Sequence, residues 1–433
     1  MPWRESLSPV QMTRVAIVAP EERRSIVLAA VSHCATVELD LPYPPGAGPE
    51  ELARASDAAI VSGPTAGWVG WAPSRELASL AETLAPLGAA VVPLPRPRSL
   101  QPPTLLTGTG SGQVSRALVD TYGTVPYADV DPSRLAGLAY IVMFGMMFGD
   151  LGHGAILVVA GLVLRSGKIV RLAKLSKTWL FVTGAGLTSM LFGALYGEAF
   201  GPTGVIPVLW LDPMANPIPL LVTALVFGAA LLAGAYALGT INRIREAGWG
   251  YALYASSGIA GSVLFVAVGL LAWGLIAEQG ALVVVAVVFA LAALGFIFVG
   301  YFVDAGGGGT GVIQAVIEVV DTVIRLGSNV VSFARLAAFG LTHAALLTVV
   351  WAGTTALWAP DWRAAAAVLL FLVGNALTFG LEALVAGIQA LRLEYYELFS
   401  RIFQAEGRAF LPWSPIPADE SADGIRETER HHS

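Results

Sequence analysis

Beyond residue 130 the chain runs in apolar segments too long for a soluble fold to hide. They cover roughly 134–165, 178–200, 217–240, 252–276, 281–303, 313–357 and 363–407. Each meets or exceeds the roughly 20 residues that cross a bilayer core. This pattern predicts a mainly α, polytopic membrane helical bundle. Composition agrees: 55% of residues are hydrophobic, 13% are charged, and mean hydropathy is +0.69, as in membrane rather than soluble chains. A net charge of -6 with no basic, aromatic-laced cluster argues against nucleic acid as a partner. Cys34 is the single cysteine, so no intrachain disulfide is available. The first twenty residues, "MPWRESLSPVQMTRVAIVAP", lack the apolar core of a signal peptide. A cytoplasmic N-terminus is therefore expected.

Seven crossings would leave the two ends on opposite sides. The basic stretches "RSGKIVRLAKLSK" and "INRIREAGWG" and the tail carrying Arg401 and Arg408 all belong on the cytoplasmic side by the positive-inside rule. A cytoplasmic N-terminus meets all three only if the first segment crosses twice. That segment contains "MFGDLGHG", Met147 to Gly154, and its three glycines and aspartate suit a tight turn. We expect a short hairpin, about 134–149 and 151–165, giving about eight transmembrane helices with both termini cytoplasmic. Asp150 and His153 are expected to cap or pin the turn. The alternative is one long helix with an external N-terminus. The last two segments are long. Some 45 residues make a rod of nearly 70 Å at about 1.5 Å per residue, against a core of about 30 Å, so these helices are expected to tilt or to project into water.

Residues 1–130 read differently. "TRVAIVAP" has the pattern of a strand, "EERRSIVLAAVSHC" of a helix and "ATVELDL" of a second strand. "DAAIVSG", "SRELASLAETLAPLG" and "AAVVPLP" repeat the pattern, which gives a small cytoplasmic α/β domain ahead of a membrane domain over 131–433. "RPRSLQPPTLLTGTGSGQVS" reads as a linker. Its glycines do not form a phosphate loop, because the G-x-x-x-x-G-K-[ST] pattern is absent.

Charged groups inside apolar spans mark functional positions, and they concentrate in the last two segments. One holds Asp321, Arg335 and His343; the other holds Glu382, Gln389 and Arg392. Along the first axis Asp321 lies about 21 Å to the cytoplasmic side of Arg335, and His343 lies about 12 Å to the outer side. Carboxylates and imidazole exchange protons near neutral pH. Arginine stays charged. Arg335 therefore suits a fixed positive barrier between two proton paths, each reaching halfway across. The bland readings are an inter-helix ion pair for Arg335, a snorkelling Arg392 and a backbone-bonded His343. Glu394 and Glu397 read as interfacial, solvated charges.

Several stretches carry a resemblance: "VDTYGTVPYADVDPSRL", "MFGMMFGDLGHG", "SNVVSFARLAAFGLTHAAL" and "LEALVAGIQALRLEYYELFSRIFQAEGRAFLPW". They are similar to the large membrane subunit of V-type and A-type rotary ATPases, called a or I. The resemblance covers essentially residues 100–415. It implies that Arg335 is the arginine facing a proteolipid ring and that Arg392 is a second arginine on the last helix. It implies that His343 and Glu382 line the half-channel open to the outside and that Asp321 lies in the cytoplasmic one. Gln389 stands where some relatives have histidine. The implied partners are the proteolipid ring, a central-stalk adaptor, peripheral stalks, membrane lipid and protons. The implied setting is a prokaryotic plasma membrane. No catalytic residue, metal or cofactor is implied, since ATP hydrolysis belongs to other subunits. One departure stands out. The family's long coiled-coil arm has no counterpart before residue 130, where only "PYPPGAGPEELARA" separates the two α/β pieces. The rivals are a scaffold paralogue without transport and a stand-alone secondary transporter, which would carry internal repeats.

Overall fold

The computed structural model describes residues 8–44, 46–97, 100–106, 113–167, 175–403 and 407–415. Lys168, Arg171 and Lys174 of the basic loop lie outside them, as does much of the glycine-rich linker. The chain divides into two compact units. One comprises 1–107, 124–127 and 406–433, and the other comprises 108–123 and 128–405.

The first unit is a five-stranded antiparallel sheet with helices. Its elements are β1 (Met12–Pro20), α1 (Arg24–Cys34), β2 (Glu38–Leu39), α2 (Pro49–Asp57), β3 (Ile60–Ser62), β4 (Thr65–Pro73), α3 (Leu77–Leu84) and β5 (Ala90–Pro93). Strand order is β2-β4-β1-β5, with β3 also on β4, which is a split βαβ arrangement. Alternation in β1 explains its placement: Val15, Ile17 and Ala19 point into a core with Val27, Leu28 and Val31 of α1. The sequence reading missed β4, whose "TAGWVGWAP" carries two glycines. Gly70 is needed there, because a Cβ would strike the Glu38 carbonyl of β2. The segment after residue 406 also belongs to this unit. The Trp413 N–H donates to Val37 O at 2.8 Å and its ring joins the core, and Arg408 pairs with Glu38 at 2.6 Å. Burial pushes the Glu38 carboxyl up from its ordinary value, against the Leu411 N–H and Arg408. Among the described residues before 130 the longest helix is α1, with 11 residues.

The second unit is helical. A short helix, α4 (Gln113–Tyr122), precedes α5 (Ser133–Met147) and α6 (Leu151–Ser166). Then come α7 (Trp179–Tyr196), α8 (Pro217–Tyr254), α9 (Ile259–Ile276) and α10 (Gly280–Asp304). The last are α11 (Gly308–Ser332), α12 (Ala334–Leu357) and α13 (Trp362–Leu393). Six stretches among the described residues are long and apolar enough to cross a membrane, and α5 and α6 form a shorter apolar pair. The hairpin expected at "MFGDLGHG" is thus two separate helices. Its packing is set by small residues. A Cβ on Gly154 of α6 would meet the Gly186 carbonyl of α7 at 2.8 Å, and one on Gly186 would meet Gly154 O at 2.7 Å. The apolar run 313–357 falls within Gly308–Leu357, interrupted only at Phe333 between α11 and α12. α13 continues through a π-helical segment, Glu394–Phe399, whose aromatics pack on Tyr122 of α4.

Candidate functional site

The intramembrane charges gather on α11, α12 and α13, and they form two regions of different character.

The first surrounds His343 on α12. Its Nδ1 lies 3.5 Å from Glu382 Oε2 on α13, with side-chain exposures of 1% and 9%. That is ion-pair range without hydrogen-bond alignment, since neither imidazole nitrogen has a hydrogen-bond partner. Rings complete the pocket: Phe148 lies 4.8 Å from His343, and His153 lies 5.6 Å from it, centroid to centroid. His153 Nε2 is 3.1 Å from Asn375 Oδ1. The Asn375 amide nitrogen donates to Phe371 O at 3.0 Å, so its oxygen faces His153 and Nε2 carries the ring proton. Asp150 begins α6 and anchors the turn. Its carboxylate accepts from the N–H groups of His153 at 2.8 Å, Phe200 at 3.0 Å and Gly201 at 2.9 Å. Asp150, His153 and His343 offer ligand atoms within 4.8 Å of one another. The three backbone donors already occupy the carboxylate, however, and the trio reads as a pinned turn beneath the imidazole–carboxylate pair.

The second region surrounds Arg335. The residue is half-buried, and one terminal guanidinium nitrogen is buried with no hydrogen-bond partner. Its electrostatic neighbours are Arg392 and Glu397. Arg335 lies on an exposed stripe with Val331, Ala338, Thr342, Leu346 and Val349. Arg392, itself exposed, continues a stripe of Leu377, Leu381, Leu384 and Ile388 on α13. Both series follow the three- and four-residue spacing of one helix face. Gln389 is half-buried, with an unpartnered amide oxygen. Asp321 forms an ion pair with Arg325 one turn along α11.

The structure brings His343 to Glu382 and to the Asp150–His153 turn, and it makes Arg392 an electrostatic neighbour of Arg335. It links Asp321 to Arg325, one turn along its own helix. Glu394 and Glu397 overturn an expectation: they are 0% and 6% exposed rather than solvated. The π-helical segment turns them inward, a local detail that no residue spacing announces. Asn375 was also missed, although a lone amide in an apolar span is itself a signal. So was Asp129, fully buried and facing the Glu246 carboxyl, with neither oxygen meeting a donor among the described residues. Burial first, then the Glu246 carboxyl, pushes the Asp129 carboxyl up to about 7, against Arg243 and Arg245.

Fold and site together define a polytopic helical membrane protein whose last helices carry a buried imidazole–carboxylate pair and, on their exposed stripes, two arginines. Residues 64–204 match the V-type ATPase 116kDa subunit family. The chain is similar to the A-type ATP synthase subunit I of Thermococcus kodakarensis, 25% identical over 365 residues, covering 79% of this chain and 53% of that one. The corresponding Archaeoglobus fulgidus protein is 26% identical over 406 residues, covering 80% and 58%. A shorter match, 39% over 83 residues, is to V-type ATP synthase subunit I 2 of Treponema pallidum, covering 19% of this chain and 18% of that one. The resemblance read from the motifs agrees with these matches: the chain is similar to the V/A-type ATPase subunit I proteins. It spans about half the length of the curated relatives it matches.

Proposed function

We propose that the chain is a non-catalytic membrane subunit of a proton-translocating rotary ATPase, forming two offset half-channels against a proteolipid ring. The observation that carries this reading is the placement of Arg335 and Arg392. The half-buried Arg335 and the exposed Arg392 lie on exposed, largely apolar helix faces, where a charge facing lipid is expensive. A carboxylate on a second, membrane-embedded subunit removes that expense.

In this mechanism a proton enters from the outer side by way of His343 and Glu382, which lie 3.5 Å apart and pass it on when imidazole and carboxylate swing into hydrogen-bond alignment. It protonates a ring carboxylate, which is then neutral enough to travel through lipid. After rotation the ring carboxylate nears Arg335. The fixed positive charge favours its ionised form, and the proton leaves along the cytoplasmic path, where Asp321 lies. Gln389 keeps a polar lining where it cannot exchange protons. Asp150 and His153 hold the turn that supports His343. In this reading the first unit is the cytoplasmic domain, the second unit is the membrane domain, and both termini lie on the cytoplasmic side of a prokaryotic plasma membrane. Without a coiled-coil arm in residues 1–130, peripheral stalks contact the α/β domain directly or through another chain.

The test is isolation from native membranes in mild detergent. Recovery with a small, very apolar ring subunit and soluble ATPase subunits is expected. Recovery as a lone, monodisperse chain that transports on its own overturns the reading in favour of a secondary transporter.

A further inference from the structure

A cavity of about 560 Å³ with mixed polar and apolar walls lies between the ends of α8 and α10, and shares no lining residue with the Arg335 and His343 regions. Its walls include Arg243, Tyr251, Tyr254, Ser257, Tyr301 and Asp304. The local backbone is built to make it. Gly248 takes a φ of 84° inside α8, a conformation that suits glycine, and the helix changes direction there before the turn into α9. Gly300 of α10 lets that turn approach closely, since a Cβ would lie 2.8 Å from the Tyr254 carbonyl. The Tyr301 hydroxyl is held 3.3 Å from Thr322 Oγ1 of α11, which fixes the ring.

The charges in the wall are unequal. Arg243 contacts Ser257 Oγ through Nε at 3.3 Å and Glu246 through Nη1 at 2.5 Å, so its charge is largely balanced. Asp304 makes no hydrogen bond or ion pair among the described residues. An unpaired carboxylate sharing a cavity with three tyrosines attracts an ammonium group, by charge and, where a ring presents its face, by cation–π attraction. The Ser257 hydroxyl, which accepts from Arg243 and keeps its own O–H to donate, suits a phosphate oxygen. The location favours a lipid over a soluble ligand. The cavity falls where the apolar stretch Pro217–Glu246 gives way to Gly248–Ile276, and Trp249 and Tyr251 there are 71% and 45% exposed. Exposed Trp and Tyr at the end of a span mark the depth of lipid headgroups.

We propose that this cavity binds the headgroup of a zwitterionic phospholipid, with the ammonium against Asp304 and the tyrosine rings and the phosphate toward Ser257 and Arg243. The site is independent of the transport reading and requires only that α8 to α10 lie in a bilayer.

The full chain, reconstituted in nanodiscs of phosphatidylethanolamine and phosphatidylglycerol in equal parts, is extracted with detergent, and the co-retained lipid is counted by mass spectrometry. Wild type should retain phosphatidylethanolamine several-fold over phosphatidylglycerol. Asp304→Asn, an exposed and nearly isosteric change, should bring the ratio to that of the bulk. Tyr251→Phe, which keeps the ring, should leave the preference intact. Equal retention of phosphatidylglycerol by wild type, or an unchanged ratio in Asp304→Asn, overturns the proposal. Displacement of the lipid by millimolar soluble phosphoethanolamine would assign the site to a soluble phosphoamine and overturn the lipid identification.

Discussion

The surroundings of His343 and Arg335 differ in one instructive way, although both residues lie on the same helix. His343 is enclosed by its own chain: Glu382, Phe148, His153 and the Asp150 turn occupy its sides. Arg335 lies on an open face, its electrostatic neighbours include a second arginine, and one of its nitrogens lacks a partner. A pocket walled on its sides by its own chain needs no outside surface to close it, although both imidazole nitrogens lack a hydrogen-bond partner among the described residues. A charge left on an apolar surface is tolerable only when another molecule completes it. On the proposed function, this difference would mean that one half of the proton path is fixed by the fold and the other half is completed by a partner.

The first way to break this contrast is to open the enclosed side. Asp150→Ala removes the acceptor for three backbone N–H groups in a buried turn. A loss on the order of 3–5 kcal/mol is expected for a buried charge network of this kind. Thermal unfolding of the detergent-solubilised chain should show a large fall in midpoint, and the intact midpoint of an Arg392→Ala control would confirm that the open side contributes little to stability.

A smaller effect is expected at Asp129, which lies outside both regions and sharpens the contrast by serving as a reference. Its folded pKa, about 7, is above the unfolded value. The folded state therefore binds more protons across that interval, and stability is full at low pH and lost as pH rises through about 7. Asp129→Asn removes the dependence, so the variant should be more stable than wild type above pH 7, by on the order of 1 kcal/mol. Melting curves from pH 5 to 9 that run parallel for the two chains would refute this.

The smallest effect on the isolated chain belongs to the open face. Leu381→Ala with Ile388→Ala alters two exposed side chains and should change stability by less than about 1 kcal/mol, since exposed positions contribute little. Recovery of the ring subunit with the chain should nevertheless fall. Unchanged recovery would mean that this stripe faces lipid.

Much of this was legible from residue types alone. The apolar runs located the long helices, and the glycines and aspartate of "MFGDLGHG" located the break between α5 and α6. His343 and Glu382 could be singled out because polar groups in apolar spans need partners, and the structure makes them partners of each other. Other features depend on contacts remote in sequence. β4 was hidden because Gly67 and Gly70 weaken a strand signal while serving close backbone approach. The burial of Glu394 and Glu397 depends on a π-helical register and on aromatics some 270 residues away, such as Tyr122. Trp413 entering the core of the first unit is likewise a long-range event that local pattern does not encode.

The most direct test of the central claim is ATP-driven acidification of vesicles containing the assembled complex, comparing wild type with Arg335→Ala at matched assembly. Wild type should acidify the lumen, and the variant, with its half-channels no longer separated by a fixed charge, should not. Equal acidification by both would contradict that claim and place the barrier elsewhere in the bundle.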